Sequence, residues 1–280
     1  MEKIRVLDLF SGLGGFGLGL ERTGGFETVA FCEIDDFCRR VLQKHWPKVK
    51  CYYDVKTLTA DVLRRDGISV DAICGGFPCQ DVSLAGRRGG LKAERSGLWA
   101  EFKRLIRELR PLLVIVENTP GLLSLGMGTV LGDLAESGYD AQWDCIPAKR
   151  VGAPHERDRV WIVAYPNENG LQERMHVAGA GGQEAATEQP RRSPHGISSS
   201  TELADSDARK RPLGRTFGRV GRIFQPVPWH RAWPIASEPV LGRGADGLPD
   251  RVDRVGSLGN AVVPQITELI GRAVLRAITL

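Results

Sequence analysis

Two short stretches carry residue types that could make and break bonds. The first, CGGFPCQDVSLAG from Cys74 to Gly86, follows an apolar run and sets Cys79 directly after Pro78 in a glycine-flanked turn. The second, VIVENTPG, ends another apolar run on Glu117. A thiol is a poor nucleophile until its pKa falls or a neighbouring acid activates the electrophile. A pyrimidine ring can be attacked at C6 if N3 is protonated or strongly hydrogen-bonded at the same moment. That chemistry needs a carboxyl group across the ring from the sulfur. Glu117 could supply it, with Asn118 and Thr119 to fix its orientation. Taken singly, a buried inert cysteine and an ordinary capping acid explain these residues better; the pair is what points to chemistry.

A third stretch, DLFSGLGGFGLGLE from Asp8 to Glu21, is a glycine-rich turn between a strand-like and a helix-like segment. Glycines permit a tight bend and let the backbone approach a ligand, with helix N–H groups aimed at it. Any tight strand–helix turn uses glycine, so the weight comes from Glu33 in CEID. An acid there is placed to accept ribose hydroxyl hydrogens, and Asp54, after the next strand, could take the exocyclic amine of an adenine. The GxGxxG pattern is imperfect and no phosphate-gripping lysine follows, which argues against a kinase or ATPase. A dinucleotide oxidoreductase would explain the glycines and leave the Cys79 and Glu117 stretches unexplained.

The elements that must position these residues alternate along the first 165 positions. IRVLDLF, ETVAFCEID, KCYYDV, VDAICGGF, PLLVIVEN and RVWIVAY read as strands. FGLGLERTG, DFCRRVLQKHW, LWAEFKRLIRELR and GTVLGDLAESG read as helices, the third with Leu98, Phe102, Leu105, Ile106 and Leu109 on one face. Strands this apolar between helices predict a parallel sheet covered on both faces. Ligands of such sheets gather outside the carboxyl ends of the strands, so the turns carrying Phe10, Glu33, Cys79 and Glu117 share one rim. From about Pro166 the chain turns polar and rich in Gly, Ala and Ser, a composition that buries little surface. VGRIFQPVPWHRAWPIASEPVL restores aromatics for a small irregular domain, and an amphipathic helix from about Pro264 closes the chain and docks on the first domain.

The 280 residues carry a net charge of +4 and 42% hydrophobic residues, enough to build a sizeable core. Arg and Lys crowd the segment from Arg191 to Arg231, which suits a polyanionic partner. No apolar run is long enough to cross a bilayer and no signal segment is evident, so the expected compartment is the cytoplasm. Six cysteines without a CxxC pair argue against a disulfide framework and against zinc, so no metal is expected.

In their order along the chain these motifs resemble the DNA cytosine-C5 methyltransferases. DLFSGLGGFGLG is similar to that family's S-adenosylmethionine loop, CEID to its ribose-binding acid and YYDV to its adenine-contacting Asp. GFPCQDVSLAG resembles its Pro-Cys-Gln loop and ENTPGLL its Glu-Asn-Val motif, with Thr119 in place of Val. GAPHERDRVWIVA resembles its Gln-x-Arg-x-Arg motif, with His155 where Gln is usual, and LGNAVVPQ its closing Gly-Asn motif. The resemblance implies a Rossmann-like, mostly parallel sheet with helices on both faces, of the class I S-adenosylmethionine-dependent type, plus a small irregular target-recognition domain. Residues 1–165 and 251–280 would form the catalytic, cofactor-binding domain and 166–250 the target-recognition region. Cys79, Glu117, Arg157 and Arg159 would be catalytic, with Arg159 on the cytosine O2 and a neighbouring phosphate and Arg157 on the local DNA backbone. Phe10, Gly12, Gly14, Glu33, Ile34, Asp54, Val55, Pro78, Leu98 and Asn260 would hold S-adenosylmethionine, and Gln80, Ser83, Arg219 and Arg222 would meet the DNA. The implied partner of this monomer is double-stranded DNA, alongside a cognate restriction endonuclease if the gene belongs to such a system. The same motifs also fit methylation of an RNA cytosine, or an inactive DNA-binding relative.

Overall fold

The computed structural model describes residues 2–78, 97–167, 257 and 259–279. Its elements, in chain order, begin with β1 (Ile4–Leu9), α1 (Gly15–Glu21), β2 (Phe26–Cys32), α2 (Asp36–His45) and β3 (Lys50–Tyr52). There follow α3 (Ala60–Arg65), β4 (Ala72–Gly75), α4 (Gly97–Leu109), β5 (Leu113–Asn118), α5 (Leu122–Leu125) and α6 (Met127–Glu136). The last are β6 (Tyr139–Pro147), a 3-10 turn (Ala148–Val151), β7 (Asp158–Pro166) and α7 (Pro264–Thr279). They build one seven-stranded sheet in the order β3-β2-β1-β4-β5-β7-β6.

The five strands from β3 to β5 run parallel, as their continuous apolar runs require; every residue of β4 and of β5 is buried. The sheet is mostly parallel, as expected, and departs from that only at the far edge, where β7 pairs antiparallel with both β5 and β6. The segment between β6 and β7 is too short for a crossover helix, so the chain doubles back and wedges β7 between β5 and β6. β6 itself has no counterpart in the sequence reading. YDAQWDCIP alternates poorly because the strand lies at the sheet edge, with Asp140 and Trp143 exposed. α3 was also missed, being six residues long, although Thr59 caps it by accepting from the Val62 N–H.

Each face of the sheet carries its own core. On one, Leu7, Leu9, Ile73, Val114 and Val116 pack against Phe102, Leu105 and Ile106 of α4 and Val130 and Leu134 of α6. The buried stripe of α4 includes Trp99, while Leu98 and Leu109, expected on that stripe, are only half-buried. Trp99 lies three residues before Phe102 and seven before Ile106, so it shares their face as well as Leu98 does, and packing decides which of the two is buried. On the other face Ile4, Val6, Phe16 and Phe26 pack against Ile266, Ile270 and Val274 of α7. The expected docking of the closing helix is therefore observed. α7 comes so close to α1 that a Cβ on Gly19 would sit 1.9 Å from Thr267 Oγ1 and 2.1 Å from the Pro264 carbonyl. Among the described residues no helix is long and apolar enough to cross a membrane.

Candidate active site at the carboxyl rim of the sheet

Because β1, β2, β4 and β5 are parallel, the turns that follow them open on one edge, as expected. The first is tightly wound. Gly12 and Gly14 take positive φ (53° and 80°), and so does Phe10 at 53°, a conformation that a side chain disfavours. The Ser11 hydroxyl donates to the Asp8 carbonyl at 2.7 Å, and the Cys32 N–H donates back to that hydroxyl at 3.3 Å, lacing β1 to β2. Glu33 closes the lace, its Oε2 accepting from the Gly12 N–H at 2.7 Å and its Oε1 from the Asp35 N–H at 2.8 Å. A carboxylate has about four acceptor positions, so Glu33 keeps capacity for a ligand's hydroxyls.

The neighbouring turns carry the rest of this half. Asp54 is half-exposed and accepts from the Lys56 N–H at 2.9 Å. Beside it Ile34 and Tyr53 stand 61% and 53% exposed, apolar surface that a flat heterocycle would cover. Asn260 is exposed and Pro78 is exposed, whereas Val55, assigned above to the cofactor, is buried in the core with Leu58 and Leu63. Sequence reasoning missed Arg104 of α4, which donates to the Val55 and Leu58 carbonyls at 3.0 and 2.8 Å and so fixes the turn after Asp54. Its spacing from Glu101 and Glu108, with which it pairs, gave only an ordinary helix-surface signal.

The other half of the rim is drier. Glu117, at 8% exposure, packs against Gly76, where an added Cβ would lie 2.5 Å from Oε2. Burial pushes the Glu117 pKa up, while the guanidinium groups of Arg159 and Arg157 oppose that rise. Arg159 Nε reaches Glu117 Oε1 at 2.8 Å. Asn118, expected to orient Glu117, spends its bonds elsewhere. Its side-chain N–H donates to the Phe77 carbonyl at 3.2 Å, and its Oδ1 accepts from the Thr119 N–H at 2.8 Å. Arg159 is therefore the group that orients the acid, and Asn118 anchors the turn leading to position 79. Phe77 adds a second anchor, its ring 5.3 Å from that of Trp99. Cys79, Gln80, Ser83, Arg219 and Arg222 lie outside the described residues.

Two further features were not legible in sequence. Arg157, with a positive φ of 36°, donates to the Ala261 carbonyl in the segment before α7. Asp8 is fully buried; neither carboxyl oxygen has a well-formed hydrogen bond, although the Gly17 N–H and the Cys74 thiol face it. Burial drives its pKa well up, which favours the neutral acid over the carboxylate. Among the described residues no cluster of His, Cys, Asp or Glu could hold a metal.

A glycine-wound turn, acids on successive strand ends and a dry carboxyl on the same rim fit a sheet of the class I methyltransferase type. The chain matches the family model for C-5 cytosine-specific DNA methylases over residues 4–212 and belongs to that family. It is 36% identical over 169 residues to the Type II methyltransferase M2.BsuMI of Bacillus subtilis, covering 58% of this chain and 42% of that one. It is 32% identical over 181 residues to the Type II methyltransferase M.HgiCII of Herpetosiphon aurantiacus, covering 63% and 39%. The chain thus matches about two fifths of the length of these relatives. In structure it resembles an Escherichia coli prophage protein taken to be a DNA modification methyltransferase, with a TM-score of 0.51, 29% identity and coverage of 59% and 47%.

Proposed function

We propose that this protein transfers a methyl group from S-adenosylmethionine to C5 of cytosine within a specific sequence of double-stranded DNA. The observation that carries the reading is the buried Glu117, oriented by Arg159 and set against Gly76 on the turn that leads through Pro78 to Cys79. A carboxyl whose pKa is raised by burial keeps its proton to higher pH than an exposed one, which suits it to donate to a ring nitrogen.

The residues of the β1–β3 rim fit the proposed methyl donor. Glu33 has acceptor capacity left for ribose hydroxyls, Ile34 offers exposed apolar surface to an adenine, and Asp54 stands beside it. Phe10, Gly12, Gly14, Pro78, Leu98 and Asn260 complete the proposed cradle, and Val55 supports it from the core. Bound there, the donor supplies an electrophilic methyl group on a sulfonium.

The target cytosine must leave the duplex, because stacking shields C6; this costs a few kcal/mol. The Cys79 thiolate adds to C6 while Glu117 holds N3 and the exocyclic amine, and electron density moves to C5. Once C5 carries the methyl group, a base removes its proton and the thiolate departs. Arg159 holds the cytosine O2 as well as Glu117. Residues 1–165 and 251–280 form the catalytic domain, and 166–250 read the sequence with Arg219 and Arg222 on phosphates and Gln80 and Ser83 near the flipped base. The enzyme acts as a cytoplasmic monomer, alone or beside a restriction endonuclease of matching specificity.

Bisulfite sequencing of DNA from cells expressing the protein tests activity and target together: protected cytosines in one sequence context are expected, and none when Cys79→Ser is expressed. Full protection by Cys79→Ser would remove the nucleophile assignment.

A further inference from the structure

The segment before α7 lies between the two halves of the rim and touches both. On one side it presses on the cofactor turn, where a Cβ on Gly15 would lie 2.5 Å from the Val262 carbonyl. Thr267 Oγ1 lies 3.2 Å from the Gly15 carbonyl, so the start of α7 is tied to the same turn. On the other side the Ala261 carbonyl accepts from Arg157 Nη2, across 104 positions of sequence. Arg157 stands two residues before Arg159, which grips Glu117, and its charge is close enough to act on the Glu117 carboxyl. Its positive φ holds it in a backbone conformation that a non-glycine residue adopts only under constraint from its surroundings.

We infer that Arg157 is a positioning residue that couples the pocket at Glu117 to the cofactor turn, through its bond to the Ala261 carbonyl. This rests on the reading under Proposed function, and it gives Arg157 a different task from the DNA-backbone contact that the family resemblance implies for it. A base entering beside Glu117 changes the charge that Arg157 faces. Arg157 can pass that change on by tightening or releasing its hold on Ala261, whose neighbour Val262 bears on Gly15. Coupling of this kind is reciprocal, so an occupied cofactor turn must favour the same arrangement at Glu117.

The test uses the full chain, S-adenosylhomocysteine as the probe, and an unmethylated plasmid long enough to contain every short cytosine context. Saturating plasmid is expected to tighten S-adenosylhomocysteine binding by at least about fivefold in the unaltered protein. In Arg157→Gln, which loses the charge, that tightening should fall within twofold of none, and Arg157→Lys, which keeps the charge and a donor, should recover part of it. Full tightening in Arg157→Gln, or none in the unaltered protein, overturns the inference. Failure of the unaltered protein to bind S-adenosylhomocysteine at all would instead strike the proposed function. Hydrogen exchange gives a second reading that does not depend on a variant folding. Plasmid alone, without cofactor, should slow the amides of residues 259–263, and unchanged exchange there also overturns the coupling.

Discussion

Glu33 and Glu117 each end a parallel strand on the same rim, and their exposures, 9% and 8%, are nearly equal. Their surroundings are opposite. Glu33 is held by two backbone N–H groups, so its carboxylate is fixed as an acceptor. Among the described residues no backbone N–H donates to Glu117; the Arg159 guanidinium holds one of its oxygens, Arg157 adds its charge, and the group is otherwise buried. Equal burial thus yields two different environments: two backbone donors fix the oxygens of Glu33 in place, whereas burial beside guanidinium groups raises the pKa of Glu117. A site that binds a ligand and a site that reacts with one can be built from the same residue type.

Substitutions break this contrast to different degrees. Glu117→Gln should lower methyl transfer by about 10²-fold or more, as loss of a general acid does, while S-adenosylhomocysteine binding stays nearly intact. An effect below twofold on single-turnover transfer would show that the contrast is structural only. Gly76→Ala forces a Cβ to within 2.5 Å of Glu117 Oε2, against a carboxylate that Arg159 holds in place. Misplacing the acid should cost about 10- to 100-fold in kcat with cofactor affinity unchanged.

On the other half, Glu33→Gln removes a charged acceptor and should weaken S-adenosylhomocysteine binding by about 10-fold, leaving kcat at saturating cofactor nearly constant. Calorimetric titration beside single-turnover rates separates the two signatures. The smallest effect concerns Asp8, whose folded pKa lies well above the ordinary 3.8 because it is buried. A raised acid contributes stability that is fully present below 3.8 and is lost as pH rises through the folded value. Asp8→Asn should therefore melt a few degrees higher than the unaltered protein at neutral and alkaline pH, with the difference shrinking towards pH 4. A constant difference across that range would mean that Asp8 is not held as the neutral acid.

Six of the strands and five of the helices were readable because continuous apolar runs and helical spacing are local properties. The antiparallel edge was not, since β6 is polar enough at the rim of the sheet to lose its alternation, and only pairing with β7 makes it a strand. Glu33 and Glu117 could be singled out from motif and position. Arg104 and Asp8 could not, because nothing in a helix-surface arginine or an acid inside DLF announces which carbonyls or thiols it will face.

By itself, then, the sequence determined the alternation of strands and helices, the turns at the strand ends and the residue types placed there, all of which depend on neighbours a few positions apart. Tertiary structure alone decided that Arg159 rather than Asn118 orients Glu117, that Val55 faces the core, and that Arg157 reaches Ala261 across 104 positions. The physical reason is that burial and partner choice are set by whichever distant segment packs nearest, and that proximity has no period to read along a chain.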